Sequence, residues 1–383
     1  MNGNLRIGSL FGIPFFVNAS WFLVFSLVTW DYGSQLGAAF PQLGVSAGVL
    51  GLVTALLLFA SVLAHELGHS LVAMRQGIPV KSITLFIFGG LASLGEESKT
   101  PAEAFWVAVA GPLVSFALFG IFTALNIFTA LPAPLTVVVG VLASINLALG
   151  IFNLLPGLPL DGGNVVKALV WKLTGKPYKG IAFASRIGRF LGWLGIGIGG
   201  LSVLGFIQFG SFWTLLVGWF LLQNADRYAQ AAAVQEQLSG LTAEDAVIPN
   251  SPIVSSEISL REFANQYIIG NPANWRRYLV TDTNGQLVGQ VEVNAMKMIP
   301  TNDWWDISVR QIMQPITQLE TIASDQPLLD VVNLIEEKNL PELVVLKEDK
   351  KPAGLLEKSS IIQLLQNRAA AKSAPPQQIP SQA

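Results

Sequence analysis

Residues 61–74 read SVLAHELGHSLVAM. Two histidines and a glutamate stand here in an otherwise apolar run, and His65 and His69 are the only two histidines in the 383 residues. On an α-helix, positions i and i+4 share a face, so both imidazoles can grip one metal ion. Glu66, one step round, can reach a water on that ion without being a ligand. Gly68 keeps the turn narrow, so another segment can approach. A glutamate buried in a spanning helix costs at least about 2.5 kcal/mol unless paired or solvated, which argues against a chance match to the HExxH pattern. Neutral imidazoles with a carboxylate suit zinc, whose catalytic sites keep one position open for water.

Working outward, the chain divides by composition. Hydrophobic residues make up 51% and charged residues 13%, about half the charged share of a soluble domain. The apolar runs lie between residues 14 and 228; from residue 229 on, charges are interspersed normally. That pattern is a membrane half followed by a soluble half. The net charge of -2 gives no reason to invoke nucleic acid, and zero cysteines exclude disulfides, thiol catalysis and Cys-ligated metal. The first residues, MNGNLRIGSLFGIPFF, lack a basic region and a small-residue cleavage site, so no cleaved signal is expected.

Spanning helices need roughly 20 mostly apolar residues, and six segments qualify: 15–30, 46–74, 104–131, 135–155, 183–209 and 212–228. Between the second and third lies IPVKSITLFIFGGLASLGEES, residues 78–98. It is β-rich and too short to span as a helix, and Gly89-Gly90 is the expected hairpin turn. Exposed non-helical backbone is not tolerated in lipid, so this element should line a cavity or lie against helices. In the fifth segment, Gly188/Gly192 and Gly195/Gly199 stand at four-residue spacing, which predicts close helix packing.

Every Lys and Arg in the membrane half, from Arg6 and Arg75 to Lys179 and Arg227, falls on the amino-terminal side of these six segments. The opposite connections carry none, so both termini are expected to be cytoplasmic. On that topology His65, His69 and Asp161 approach the same face.

With no third histidine, the remaining ligand must be a carboxylate. Asp161, in LLPGLPLDGGNVVKAL (residues 154–169), follows two prolines and precedes two glycines that let backbone come close. Locally it suits two roles equally: third ligand, or cap of a helix starting near Asn164. Glu96, Glu97 and Glu103 compete from a polar loop; Asp31 lies on the opposite face and Asp226 in an interfacial segment. Asn153 suits either a donor to a substrate carbonyl or oxyanion, or an interhelical hydrogen bond such as Asn146 would make.

The soluble half holds two similar segments. SEISLREFANQYIIG (256–270) predicts a helix and RRYLVTDTNGQLVGQVEV (276–293) a hairpin turning at Asn284-Gly285. Residues 325–366 repeat helix, strand, turn, strand, helix, which suggests a paired module with a shared core. The end, AKSAPPQQIPSQA, has no apolar periodicity and is expected to be disordered.

These motifs resemble the site-2 protease family, peptidase family M50, in its branch with a carboxy-terminal pair of CBS domains. The resemblance rests on AHELGH (64–69), NLLPGLPLDGG (153–163) and LFIFGG (85–90), with weaker support from GIPFFVNASWF (12–22) and AGP (110–112). It implies a polytopic α-helical membrane protein of six transmembrane helices with a re-entrant β element, plus an α/β CBS pair. The implied divisions are 1–230 intramembrane metalloprotease domain, 231–244 linker, 245–370 CBS pair and 371–383 tail. The implied site has His65, His69 and Asp161 on one zinc ion per chain, Glu66 activating water, and Asn153 positioning substrate or stabilising the oxyanion. Phe86, Ile87, Phe88, Gly89 and Gly90 would pair with an unwound substrate strand. The implied substrate is a transmembrane segment of a membrane-anchored protein, often a transcription regulator or its inhibitor, in a bacterial, archaeal or plastid membrane.

CBS pairs often bind adenine nucleotides, but the usual hydroxyl and acidic residues are not evident in GQVEVNAMK or GLLEKSSII. A homodimerising or substrate-docking module is an equal expectation. The main rival for the whole chain is a metal transporter or CBS-regulated channel, which should offer several weak sites in series. A catalytically dead scaffold is a third reading, and the intact Glu66 argues against it.

Overall fold

Residues 4–269, 275–316 and 319–373 are described in a computed structural model, which divides into two units, Met1–Ala233 and Val234–Ala383. The first unit opens with a hairpin of β1 (Asn4–Leu10) and β2 (Ile13–Asn18). Its turn residues, Phe11 and Gly12, both have positive φ, as a tight two-residue hairpin requires. β2 runs parallel to β3 (Val80–Phe86), which pairs antiparallel with β4 (Gly89–Leu94). The sheet order is β1-β2-β3-β4, so β4 is an edge strand.

The helices are α1 (Ala19–Ala39), α2 (Ser46–Arg75), α3 (Pro101–Phe128), α4 (Ala133–Asn153), α5 (Asp161–Thr174), α6 (Pro177–Val203) and α7 (Phe212–Leu238). Four of them, α2, α3, α4 and α6, are long and apolar enough to cross a membrane. α1, at 21 residues, matches α4 in length, and α7, at 27, exceeds it. Asp31, Ser34 and Gln35 make α1 more polar, and the residues beyond Gln223 do the same for α7.

Several boundaries differ from expectation. Residues 15–18 belong to β2 rather than to the first helix, because Asn18 caps α1 by accepting from the Ser20 N–H at 3.0 Å. α6 starts at Pro177, six residues before the expected 183, with proline at the first helical position where its missing N–H is harmless. The hairpin turns at Ile87-Phe88, not at Gly89-Gly90: Phe86 pairs with Gly89, whose φ of +137° opens the return strand.

Close packing in α6 matches the glycine spacing. A Cβ on Gly192, Gly195 or Gly199 would sit within 3 Å of α7 backbone, at Leu222, Gly218 and Leu215 respectively. A Cβ on Gly188 would strike the Leu158 carbonyl.

The second unit repeats one design. β5 (Ile253–Ser255) runs parallel to β6 (Arg277–Thr281), which pairs antiparallel with β7 (Leu287–Glu292); β8 (Gln314–Pro315) completes that sheet. Likewise β9 (Thr321–Ala323) runs parallel to β10 (Glu342–Leu346), which pairs antiparallel with β11 (Pro352–Glu357). Helical turns at 260–269, ending in a π-helix, and the helix Leu328–Lys338 fill the corresponding crossovers. Leu279, Leu287, Val344 and Leu355 join the two sheets in one cluster, the shared core the repeat implied. Asp282 Oδ1 accepts from the N–H groups of Asn284 and Gln286 in the first hairpin turn, with Gly285 at φ +78°.

The expected linker at 231–244 is structured. α7 continues to Leu238, and Leu238, Leu241 and Ala243 are buried in the second unit's largest apolar cluster. The helix Lys358–Ser373 takes in the first residues of the expected tail. Residues 374–383 of that tail lie outside the described residues.

Candidate metal centre and active site

His65 and His69 lie on the buried face of α2, with Nε2 atoms 3.2 Å apart. Asp161 Oδ2 lies 3.0 Å from His65 Nε2 and 3.3 Å from His69 Nε2. Asp161 is not a helix cap. It is the first residue of α5, three positions before the expected start, and Leu160 occupies the cap position with no side-chain cap bond. The two following glycines explain how it arrives there. A Cβ on Gly162 would stand 2.2 Å from the Leu154 carbonyl oxygen, and one on Gly163 2.3 Å from backbone at Gly157 and Leu158. Only glycines let the loop after α4 fold back over the start of α5.

The three ligand atoms suit a tetrahedral ion. Bonds of ~2.0 Å place ligand atoms roughly 3.3 Å apart, and the observed separations run from 3.0 to 3.3 Å. The outward nitrogens support the same reading. His69 Nδ1 lies 2.6 Å from the Val107 carbonyl oxygen, which can only accept, so Nδ1 carries the proton and Nε2 presents a lone pair. His65 Nδ1 lies 2.9 Å from Ser115 Oγ, a hydroxyl able to accept the proton of the same tautomer.

α5 lies outside the four apolar spans, and its Asp161 carboxyl is tuned by opposed effects. Burial alone would raise it, but the two imidazoles, when protonated with no ion between them and the carboxyl, more than offset this and hold it below the usual carboxylate range.

Ser115 and Val107 were missed in the sequence, as was the part of Gly111 between them. A Cβ on Gly111 would lie 2.2 Å from His69 Nε2 and 2.6 Å from His65 Nε2, in the space the ion needs. The signal was legible: Val107, Gly111 and Ser115 recur every four residues along one face of α3. Gly68 serves the same approach from α2, since a Cβ there would meet Val114 and the Ala110 carbonyl.

Glu66 turns toward β4. Its Cγ lies 2.4 Å, and its carboxylate carbon and one carboxylate oxygen 2.9 Å, from where a Gly90 Cβ would stand. The five expected strand-pairing residues therefore separate. Phe86 ends the inner strand β3 and Ile87 and Phe88 form the turn; Gly89 and Gly90 lie on the edge strand β4. Phe88 stacks on Phe220 of α7, with ring centroids 4.5 Å apart. Asn153 ends α4 and its amide donates to the Leu149 carbonyl at 3.1 Å, within its own helix. Asn146 does make an interhelical bond, donating to Ser61 Oγ at 3.1 Å.

The competing carboxylates are engaged elsewhere. Glu103 closes a capping box with Thr100 at the start of α3, and Glu97 meets Lys167 at 3.4 Å. Glu96 pairs with Lys99 and Asp226 with Arg189, while Asp31 accepts from Gln35. Among the described residues His65, His69 and Asp161 form the one group of three or more able to hold a metal ion, not a series along a transport path.

The profile of peptidase family M50 matches residues 53–133 and 129–195. A Synechocystis protein provisionally named a zinc metalloprotease is 55% identical over 97% of each chain. The chain belongs to peptidase family M50. A Mycobacterium tuberculosis protein, also provisionally named a zinc metalloprotease, is 32% identical over 95% of this chain and 93% of its own. The solved site-2 protease from Methanocaldococcus jannaschii is 28% identical, covering 59% of this chain and 95% of that one with a TM-score of 0.44. A CBS-domain profile matches residues 309–367, a stretch that takes in β8 and the whole second repeat from β9 to β11. With an M50 region and four apolar helices, the chain is a membrane-embedded peptidase rather than a transporter.

Proposed function

We propose that this chain is an intramembrane zinc metalloprotease of the site-2 type, hydrolysing a peptide bond in or near a transmembrane segment of another, membrane-anchored protein. In this reading α1, α2, α3, α4, α6 and α7 cross the bilayer and the β3–β4 hairpin enters it partway. Lys and Arg cluster on one side of these spans, which makes that side, with both termini and the CBS pair, cytoplasmic. The catalytic half ends near Ala233, one zinc ion serves each chain, and the CBS pair regulates the membrane half or joins two copies. The observation that carries the proposal is the meeting of His65 Nε2, His69 Nε2 and Asp161 Oδ2 across 96 residues of sequence.

Zinc, when bound, would supply Lewis acidity that polarises a scissile carbonyl and lowers the pKa of a water. His65, His69 and Asp161 would hold it, with Val107 and Ser115 fixing the imidazoles in the tautomer that leaves Nε2 free. The Glu66 carboxylate takes the proton of the attacking water and returns it to the leaving amine nitrogen. The free edge of β4 pairs with substrate backbone, which must leave its helix before hydrolysis because helical amides are hidden. Gly89 and Gly90 let that strand lie close to Glu66. The Asn153 amide retains a second N–H for the developing oxyanion.

The test is Glu66→Gln in membranes with an anchored candidate substrate. The expected result is full zinc content with cleavage reduced at least about a hundredfold, the lower bound for removing a general base. Cleavage at the wild-type rate would refute the assignment of Glu66.

A further inference from the structure

α5, with 14 residues, is too short to cross a membrane, and its two ends differ. Gly162, Gly163 and Ala168 are buried. Its last turns emerge: Leu169 is 49% and Leu173 85% exposed, one turn apart on one face. Lys172 flanks that face, and after Gly175 the chain turns into α6, where Lys176 and Lys179 are also exposed. Among the described residues these three lysines have no carboxylate partner, whereas Lys167 earlier on α5 pairs with Glu97. α6 continues the apolar surface away from this corner through Phe183, Phe190 and Trp193, all exposed and on a helix apolar enough to span.

Apolar side chains that nothing in the unit covers, bordered by lysines of which none has a carboxylate partner and Lys176 lies over the Tyr178 ring at 5.9 Å, match one environment at the end of a lipid-facing belt. It is the headgroup layer, with acyl chains on one side and phosphates on the other. We propose that the C-terminal end of α5 and the α5–α6 corner form a docking surface for the headgroup phosphates of anionic phospholipids. Leu169 and Leu173 enter the acyl boundary, and Lys172, Lys176 and Lys179 pair with phosphate. Because α5 begins at Asp161, the lipid steadies the helix whose other end supplies the third metal ligand. The surface stands on the membrane setting alone and survives if the catalytic assignments fail.

The chain has no cysteine, so Leu173→Cys provides a single labelling site on the full-length protein. An environment-sensitive fluorophore there is exposed to brominated phosphatidylglycerol or brominated phosphatidylcholine at equal mole fraction in reconstituted vesicles. Quenching by the anionic lipid should exceed that by the neutral one about fivefold or more, the enrichment one near-surface lysine commands. The variant Lys172→Gln/Lys176→Gln/Lys179→Gln should lose the preference while keeping its zinc. A label at Ile127→Cys, exposed at the end of α3 with no nearby Lys or Arg, should show none. Equal quenching by the two lipids at position 173, quenching by neither, or an equal preference at position 127 would each overturn the proposal.

Discussion

The two halves of the candidate metal centre are built by different means. The imidazole half is local: two histidines four residues apart on α2, each braced through Nδ1 by α3. The carboxylate half is an arrival: Asp161 reaches the same point from α5, 96 residues from His65, because glycines let the preceding loop fold onto the helix start. A helix repeat encodes the first in five residues of sequence. The second depends on backbone contacts that no short motif spells out, so the two halves should fail differently when disturbed.

Removing a ligand gives the largest effect and treats both halves alike. His69→Ala and Asp161→Ala should each lose stoichiometric zinc and all measurable cleavage, read by metal analysis of the purified protein. If Asp161→Ala kept its zinc while His69→Ala lost it, the carboxylate half would not belong to the centre.

This asymmetry also explains what the sequence made legible. His65, Glu66 and His69 were readable because a glutamate among apolar residues needs a reason, and helical geometry supplies it. On local grounds Asp161 stayed open between ligand and cap, since a carboxylate before GGN fits both; the start of α5 at Asp161 itself removes the cap reading. The hairpin was legible as β structure, but its turn was misplaced by two residues. Gly89-Gly90 serves the edge strand and the approach to Glu66 instead. Ser115 and Gly111 carried a four-residue signal that was passed over because α3 has no charge along that face to draw attention.

Glycine substitutions sharpen the contrast next. On the imidazole side, Gly111→Ala places a methyl beside both Nε2 atoms. Zinc should be lost while the thermal midpoint of the zinc-free protein stays near wild type, since the methyl takes the ion's space rather than backbone's. On the carboxylate side, Gly163→Ala drives a methyl into backbone at Gly157 and Leu158. That site cannot yield by rotating a side chain, so about 1–3 kcal/mol of fold stability should be lost along with the zinc. Equal thermal midpoints for the two zinc-free variants would erase the distinction.

The smallest effect tests the imidazole half against itself. His69 is braced by the Val107 carbonyl, a main-chain group that no side-chain substitution removes, whereas His65 is braced by the Ser115 hydroxyl. Ser115→Ala leaves the His65 Nδ1–H without its acceptor in a fully buried site, and the ring is then free to tilt or change tautomer. Zinc affinity, measured by chelator competition, should fall about 10- to 100-fold, the usual loss when such a brace is removed. Ser115→Thr, which keeps the hydroxyl, should recover most of it. Ser185→Ala controls for the loss of any buried serine, since Ser185 is equally buried but bonds only within α6. It should leave zinc affinity unchanged. If Ser115→Ala and Ser185→Ala behaved alike, the Ser115 contact would be packing rather than orientation, and α2 would hold its imidazoles with the Val107 carbonyl alone.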